Sequence, residues 1–329
     1  MDGSPIRTRR FIRLVAVFLA VIFCVFSVSC GRIDHGHLTG FSGPDGRAYE
    51  LYVPSSYDGA TDVPLVVMLH GGTQTAADVA RLTRMDDYAE LHGFIVLYPE
   101  QSADDNPERY WNWFLSSNQY RGSGEPESLA DIVRAVLSDY AVDPEAVVAA
   151  GFSAGACAAV ALGVLYPDLV RGVAAAAGLG FGVAGDALGA YAAMAGTLPA
   201  AAETAALAFD RMPDGERRPL RILLVHGTDD ARVDLVNADH LATQMALLDG
   251  LLVSGFPDEP TAVADYAPEG RHAFTVSDYA AADGFVQIRK YVVAGMAHRW
   301  PGGPAEEPYG DPLAPDFSAL VWDFFFAAG

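Results

Sequence analysis

A chain of 329 residues that is 51% hydrophobic, with 21 Lys and Arg against 42 Asp and Glu and only three Cys, is neither a disordered polymer nor a small domain stapled by disulfides. Its formal charge of −21 argues against binding nucleic acid, whose phosphates need a basic face, and disfavours docking on anionic lipid by charge. No CxxC pair or Cys/His cluster has zinc-like spacing, so neither a metal nor a cofactor is expected.

Arg7, Arg9, Arg10 and Arg13 precede an apolar run from Leu14 to Val28, which ends in Ser27-Val28-Ser29-Cys30. A basic head, a short apolar stretch and a small-residue exit predict an export signal over residues 1–30. The run is too short for a membrane span, which needs roughly twenty residues. Ser29-Cys30-Gly31 resembles the lipobox of bacterial lipoproteins, which implies a lipid on Cys30 as the only membrane attachment. Ser27 stands where that motif prefers an aliphatic residue, so ordinary cleavage is the alternative. Removing four Arg and Asp2 from the 21 basic and 42 acidic residues leaves 17 against 41, a net of −24. Residues 31–39 read as a linker, and Cys30 and Cys157 are expected to form no disulfide.

From residue 40 onward strand and helix patterns alternate. Pro64 to His70 is an apolar run bounded by Pro and Gly-Gly, the pattern of a buried parallel strand. Helical spacing follows from Ala76 to His92, and Phe94 to Tyr98 is the next strand. Glu125 to Tyr140 is an amphipathic helix. Ala146 to Gly151 is a strand, and an Ala-rich helix follows it to about Tyr166. Leu220 to Val225 and Val286 to Val293 are further strands, with a closing helix from Phe317 to Phe326. This alternation predicts one α/β domain with a mostly parallel sheet and helices on both faces. The Ala/Gly-rich stretch 178–219 reads as a helical insertion that forms a lid or pocket wall.

Gly151-Phe152-Ser153-Ala154-Gly155 matches G-x-S-x-G. Preceded by an apolar strand and opening a small-residue helix, it has the context of a nucleophile elbow, with Ser153 as nucleophile. Serine needs a base, and the base needs an orienting carboxylate, in chain order Ser, acid, His. Asp229 and Asp230 follow the strand 220–225, on the sheet edge where ligands bind. Of eight His, His35 and His37 fall in the linker, His92 and His240 on helices, and His70 and His226 in strand-ending turns. His298 lies last, in a Gly-rich loop after the strand ending at Val293, and is the preferred base, with His272 second. An oxyanion needs two donors aimed at one point. The backbone N–H of Ala154 is one; Gly72, with Thr73 in reserve, supplies the other.

Seven segments together, LHGGTQTAADVARLTRMDDYAELHGFIVLYPEQ (69–101), NPERYWNWF (106–114), RGSGEP (121–126), GFSAG (151–155), YPDL (166–169), HGTDDARV (226–233) and GMAHRWPGG (295–303), resemble the polyhydroxybutyrate depolymerase-like esterases, a family that includes feruloyl and acetylxylan esterases. The resemblance covers roughly residues 38–329. It implies an α/β-hydrolase fold with Ser153, Asp230 and His298 as triad, because the family reads H-G-T-x-D-x-x-V where this chain has HGTDDARV. It also implies a departure. Relatives often carry Cys at the positions of Gly72 and Tyr110, as a bridging pair would, so packing alone is expected to hold the oxyanion loop here. Trp111, Trp113 and Trp300 flank these segments as candidate walls for a phenolic, sugar or polyester chain.

The expected protein is an exported serine esterase that acts on hydroxybutyrate oligomers, or on feruloyl or acetyl sugar esters, through an acyl-enzyme. The alternatives are a serine peptidase or thioesterase, or a non-catalytic exported binding protein on the same scaffold. With no linker or added domain recognisable after the hydrolase pattern, short soluble esters are expected to be preferred over solid polyester.

Overall fold

The computed structural model describes residues 34–327; the expected export signal and Cys30 lie outside them. Along the strand Val63–Leu69, Leu65, Val67 and Leu69 enter one apolar core while Val66 and Met68 enter another. Successive side chains of a strand point to opposite faces, so an unbroken apolar run must be covered on both sides.

The sheet is formed by β1 (Gly36–Ser42), β2 (Ala48–Val53), β3 (Val63–Leu69), β4 (Ile95–Pro99), β5 (Val142–Phe152), β6 (Gly172–Ala176), β7 (Arg221–Gly227), β8 (Ala262–Tyr266), β9 (Phe274–Ala280) and β10 (Val286–Val293). Their spatial order is β1-β2-β4-β3-β5-β6-β7-β10-β9-β8. The six central strands from β4 to β10 are parallel, and antiparallel pairs extend both edges. A short pair, β11 (Trp300–Pro301) and β12 (Gly310–Asp311), stands apart.

One face is covered by α1 (Ala76–Thr83), α2 (Met85–His92) and the C-terminal helix Phe317–Phe325. The other is covered by α3 (Gly124–Asp139), α4 (Ala154–Leu165), α5 (Ala187–Met194), α6 (Ala201–Arg211) and α7 (Val236–Leu252); the C-terminal helix is α8. All twelve residues of α4 are buried, and their small side chains let it lie close against the sheet.

The single helix expected over 76–92 is two, broken where Arg84 adopts φ 52°. β1 begins at Gly36, inside the stretch read as linker. It is clamped by His37, whose Nδ1 bonds Asp86 Oδ2 at 2.8 Å and whose Nε2 bonds Glu50 Oε2 at 2.6 Å. The bond to Asp86, opposed by burial and joined by the bond to Glu50, raises the imidazole from 6.5 to about 9. A group raised on folding stabilises fully below its unfolded value and loses that contribution as pH climbs through the folded one. The window is therefore pH 6.5 to 9. With the side chain 28% exposed, screening cuts the gain to about 1–2 kcal/mol. His37→Gln is expected to lose that amount at pH 6 and little at pH 9.5; equal losses in urea midpoints at the two pH values would refute the clamp.

Candidate active site

Ser153 sits between the end of β5 and the start of α4 with φ 55° and ψ −120°. A non-glycine residue in this region carries strain of about 1–3 kcal/mol, and surrounding contacts must hold it there. Ser153 N–H donates to Ala176 O at 2.8 Å, and Ser153 O accepts from Ala156 N–H at 2.9 Å. The flanking glycines are required by close approach. A Cβ on Gly151 would stand 2.3 Å from the Gly155 carbonyl, and one on Gly155 would stand 2.2 Å from Leu69 O. The motif is therefore the shape of the turn, and the turn presents Ser153 to a cavity.

The loops after β7 and β10 are stitched together. Thr228 N–H donates to Val293 O and Asp229 N–H to Met296 O, each at 3.0 Å, and Gly295 N–H donates to Thr228 Oγ1 at 2.8 Å. Across that seam His298 Nδ1 donates to Asp230 Oδ2 at 2.7 Å. The other oxygen of Asp230 accepts from Arg232 and Val233 N–H, each at 2.9 Å. Burial pushes the Asp230 carboxyl up, but hydrogen bonds from His226 and His298, with the Val233 N–H, outweigh it. The group is held well below the usual carboxylate range and stays ionised. His298 packs its ring on Phe152, centroids 4.9 Å apart.

Asp229 lies outside this arrangement, exposed and accepting from Thr228 Oγ1 at 3.0 Å. His272 is paired instead with Asp311 Oδ2 at 3.2 Å. His226 is more than a strand-ending residue. Its Nε2–H is shared between Val233 O at 2.9 Å and Asp230 Oδ2 at 3.3 Å, so two imidazoles grip one carboxylate. The four-residue spacing of His226 and Asp230 was the available signal.

Gly72 borders the cavity with Ser153 and His298. Thr73, the reserve oxyanion donor, is ruled out because its N–H is committed to Glu108 O at 2.7 Å. The loop is not held by packing alone. Trp111 Nε1 donates to His70 O at 3.0 Å. Gln101 N–H donates to His70 Nε2 at 3.0 Å, which leaves Nδ1–H for Gly71 O at 2.8 Å. Burial pushes His70 down to about 4, so it is a neutral strut.

Tyr110 completes the support. A Cβ on Gly72 would lie 2.3 Å from Tyr110 Cε1 and 2.6 Å from Cζ. The ring fills the space a side chain at 72 would take, which explains why Gly and Tyr occur together. Gly72→Ala is expected to cost about 1–3 kcal/mol by overpacking, and less when Tyr110→Ala is also present. Additive losses in that double-mutant cycle would show that the ring is not the obstacle.

The cavity holds about 210 Å³, and its aromatic lining is Tyr110, Phe152, Tyr191 and Tyr309, with Met194 and Arg232 beside them. The tryptophan expectation needs correction. Trp111 and Trp300 are 0% exposed; one is bonded to His70 O, the other packs edge-on to Phe317 with Nε1 3.3 Å from Ser318 Oγ. Trp113 borders a second hollow of about 230 Å³, which shares Tyr110, Tyr191 and Met194 with the first. Tyr191 and Met194 come from α5, in the stretch 178–219. That stretch is tied to the acid loop by Asp234 N–H donating to Met194 O at 2.8 Å.

Comparison with known proteins bears on the fold and the family. The acetyl xylan esterase from Aspergillus awamori superposes with a TM-score of 0.70 at 18% identity, covering 89% of this chain and 98% of that one. A feruloyl esterase module from Clostridium thermocellum gives 0.53 at 12% identity, covering 80% and 81%. The fold is that of the α/β-hydrolase esterases. In sequence, poly(3-hydroxyalkanoate) depolymerase C of Paucimonas lemoignei is 28% identical over 88% of this chain and 65% of its own length. Acetylxylan esterase A of Emericella nidulans is 31% identical over 41% of this chain and 43% of its own. The chain thus spans between two fifths and two thirds of these relatives. Residues 47–260 match the family described as Esterase PHB depolymerase, and this chain belongs to that family.

Proposed function

We propose that the protein is a serine esterase that hydrolyses carboxylic esters through an acyl-enzyme. The observation that carries this reading is the 2.7 Å bond from His298 Nδ1 to Asp230, with Ser153, at the strained turn, facing the same cavity as His298. Ser153 Oγ attacks the ester carbonyl while His298 Nε2 takes its proton, and Asp230 fixes the tautomer and supports the imidazolium. The N–H groups of Gly72 and Ala154 receive the oxyanion. His298 returns the proton to the departing alcohol, and water then releases the acid by the same steps in reverse.

The aromatic lining suits hydroxybutyrate oligomers or feruloyl and acetyl sugar esters, the chemistries that the names of its relatives suggest. The test is release of p-nitrophenol from the acetate and butyrate esters with Ser153→Ala as control, followed by a panel of those three ester classes. Turnover that survives Ser153→Ala would overturn the reading.

The sequence of residues 1–30 also supports export with lipid on Cys30. Cys30→Ala is expected to move the protein from the membrane to the soluble exported fraction. Unchanged partitioning would reject the anchor.

A further inference from the structure

Arg232 lies two residues after Asp230, on the loop between β7 and α7. Its backbone is pinned, because its own N–H and that of Val233 both donate to Asp230 Oδ1. Its side chain borders the cavity with Ser153 and His298, and its guanidinium carbon stands 5.7 Å from the centre of the Tyr309 ring.

Many of the other cations of this acidic chain are spent on carboxylates. Arg109 meets Glu100, Arg121 meets Asp168, Arg289 meets Asp278 and Lys290 meets Asp239. Among the described residues the Arg232 guanidinium has neither an ion-pair nor a hydrogen-bond partner. It is also the only permanently charged side chain bordering the cavity. In a molecule with twice as many acidic as basic residues, an exposed, unpaired guanidinium on the rim of the cavity that Ser153 also lines has the charge and donors to receive an anion. Its planar fork of donors matches a carboxylate in two parallel bonds.

From this we infer that the protein selects esters carrying a free carboxylate, and that Arg232 binds it. The inference rests on the esterase reading and narrows it. In a cavity of about 210 Å³ shared with Ser153, the carboxylate lies within a few bonds of the scissile carbonyl. It belongs either to the acyl part, as in a half-ester of a dicarboxylic acid, or to the alcohol part, as at the acid end of a hydroxyacid oligomer.

Two matched pairs separate these sources by kcat/KM in a pH-stat. Monomethyl glutarate against methyl valerate places the charge on the acyl side; 3-acetoxybutanoate against 2-pentyl acetate, which has one ester and no charge, places it on the alcohol side. In one arm the charged ester is expected to be favoured about ten- to hundredfold, the range for hydrogen bonds to a charged group. That ratio falls as salt rises. Arg232→Gln keeps the backbone N–H on Asp230 and is expected to bring the ratio to one or below, since the remaining surface repels anions. Arg232→Lys retains part of the preference.

A wild-type ratio of one or less in both arms overturns the inference, as does an undiminished ratio in Arg232→Gln. Hydrolysis of the neutral esters without a charged preference strikes this inference alone. No Ser153-dependent hydrolysis of any member brings down the esterase reading and this inference with it. Should Arg232→Gln not fold, the wild-type ratio and its salt dependence decide.

Discussion

Ser153→Ala is expected to lower kcat on p-nitrophenyl butyrate by about 10⁴- to 10⁶-fold, and His298→Ala by a similar factor, because members of a triad act as a unit. Neither change should harm the fold. Alanine removes only the hydroxyl from Ser153, and the strained turn is fixed by backbone bonds to Ala176 and Ala156 and by the close approach of Gly151 and Gly155. His298 contributes its Asp230 bond and its packing on Phe152, and the loop that carries it remains stitched at Thr228 and Asp229. The measurement is kcat together with melting temperature. Near-normal turnover in His298→Ala, with loss in His272→Ala, would reassign the base.

Asp230→Asn is expected to cost about 10⁴-fold in kcat, since the amide can offer an N–H to His298 and favour the wrong tautomer. Asp229→Asn should change little, because its carboxylate faces solvent and Thr228. The same substitution at 230 also disturbs His226, whose Nε2–H shares the carboxylate. A loss of about 1–3 kcal/mol in stability is therefore expected alongside the kinetic effect. The reverse ranking of the two aspartates would show that the acid had been misplaced by one residue.

The parts of this molecule legible in its sequence are those where a local pattern and a global demand coincide. Val63–Leu69 had to be a central strand because its run is apolar on both faces, and Gly151–Gly155 had to be a turn because both glycines are crowded by backbone. Three parts were less legible. β6 is Gly-Val-Ala-Ala-Ala, residues with little strand preference of their own; its neighbours β5 and β7 impose the strand. The break at Arg84 lacks Gly or Pro, and no propensity marks a left-handed arginine. The pocket aromatics were misjudged for a simpler reason. Trp111 and Trp300 drew attention by size, yet size is what makes them core residues, whereas Tyr110, Tyr191 and Tyr309 come from three separate segments that only the fold unites. The Asp pair after β7 illustrates the same limit, since composition cannot choose between adjacent carboxylates and a 2.7 Å bond can.

The Tyr110 ring over Gly72 has a consequence for how this loop responds to redox conditions. The loop carrying the candidate oxyanion donor is positioned by an aromatic side chain and by hydrogen bonds from Trp111, Gln101 and Thr73. Cys157 is the one cysteine among the described residues; it is buried, with its thiol pushed up to about 12 by desolvation. Nothing in the pocket waits for an oxidant. Thiol reductants are therefore expected to leave the melting temperature and the turnover of the folded domain unchanged. A loop so built holds its shape independently of the redox state of its surroundings.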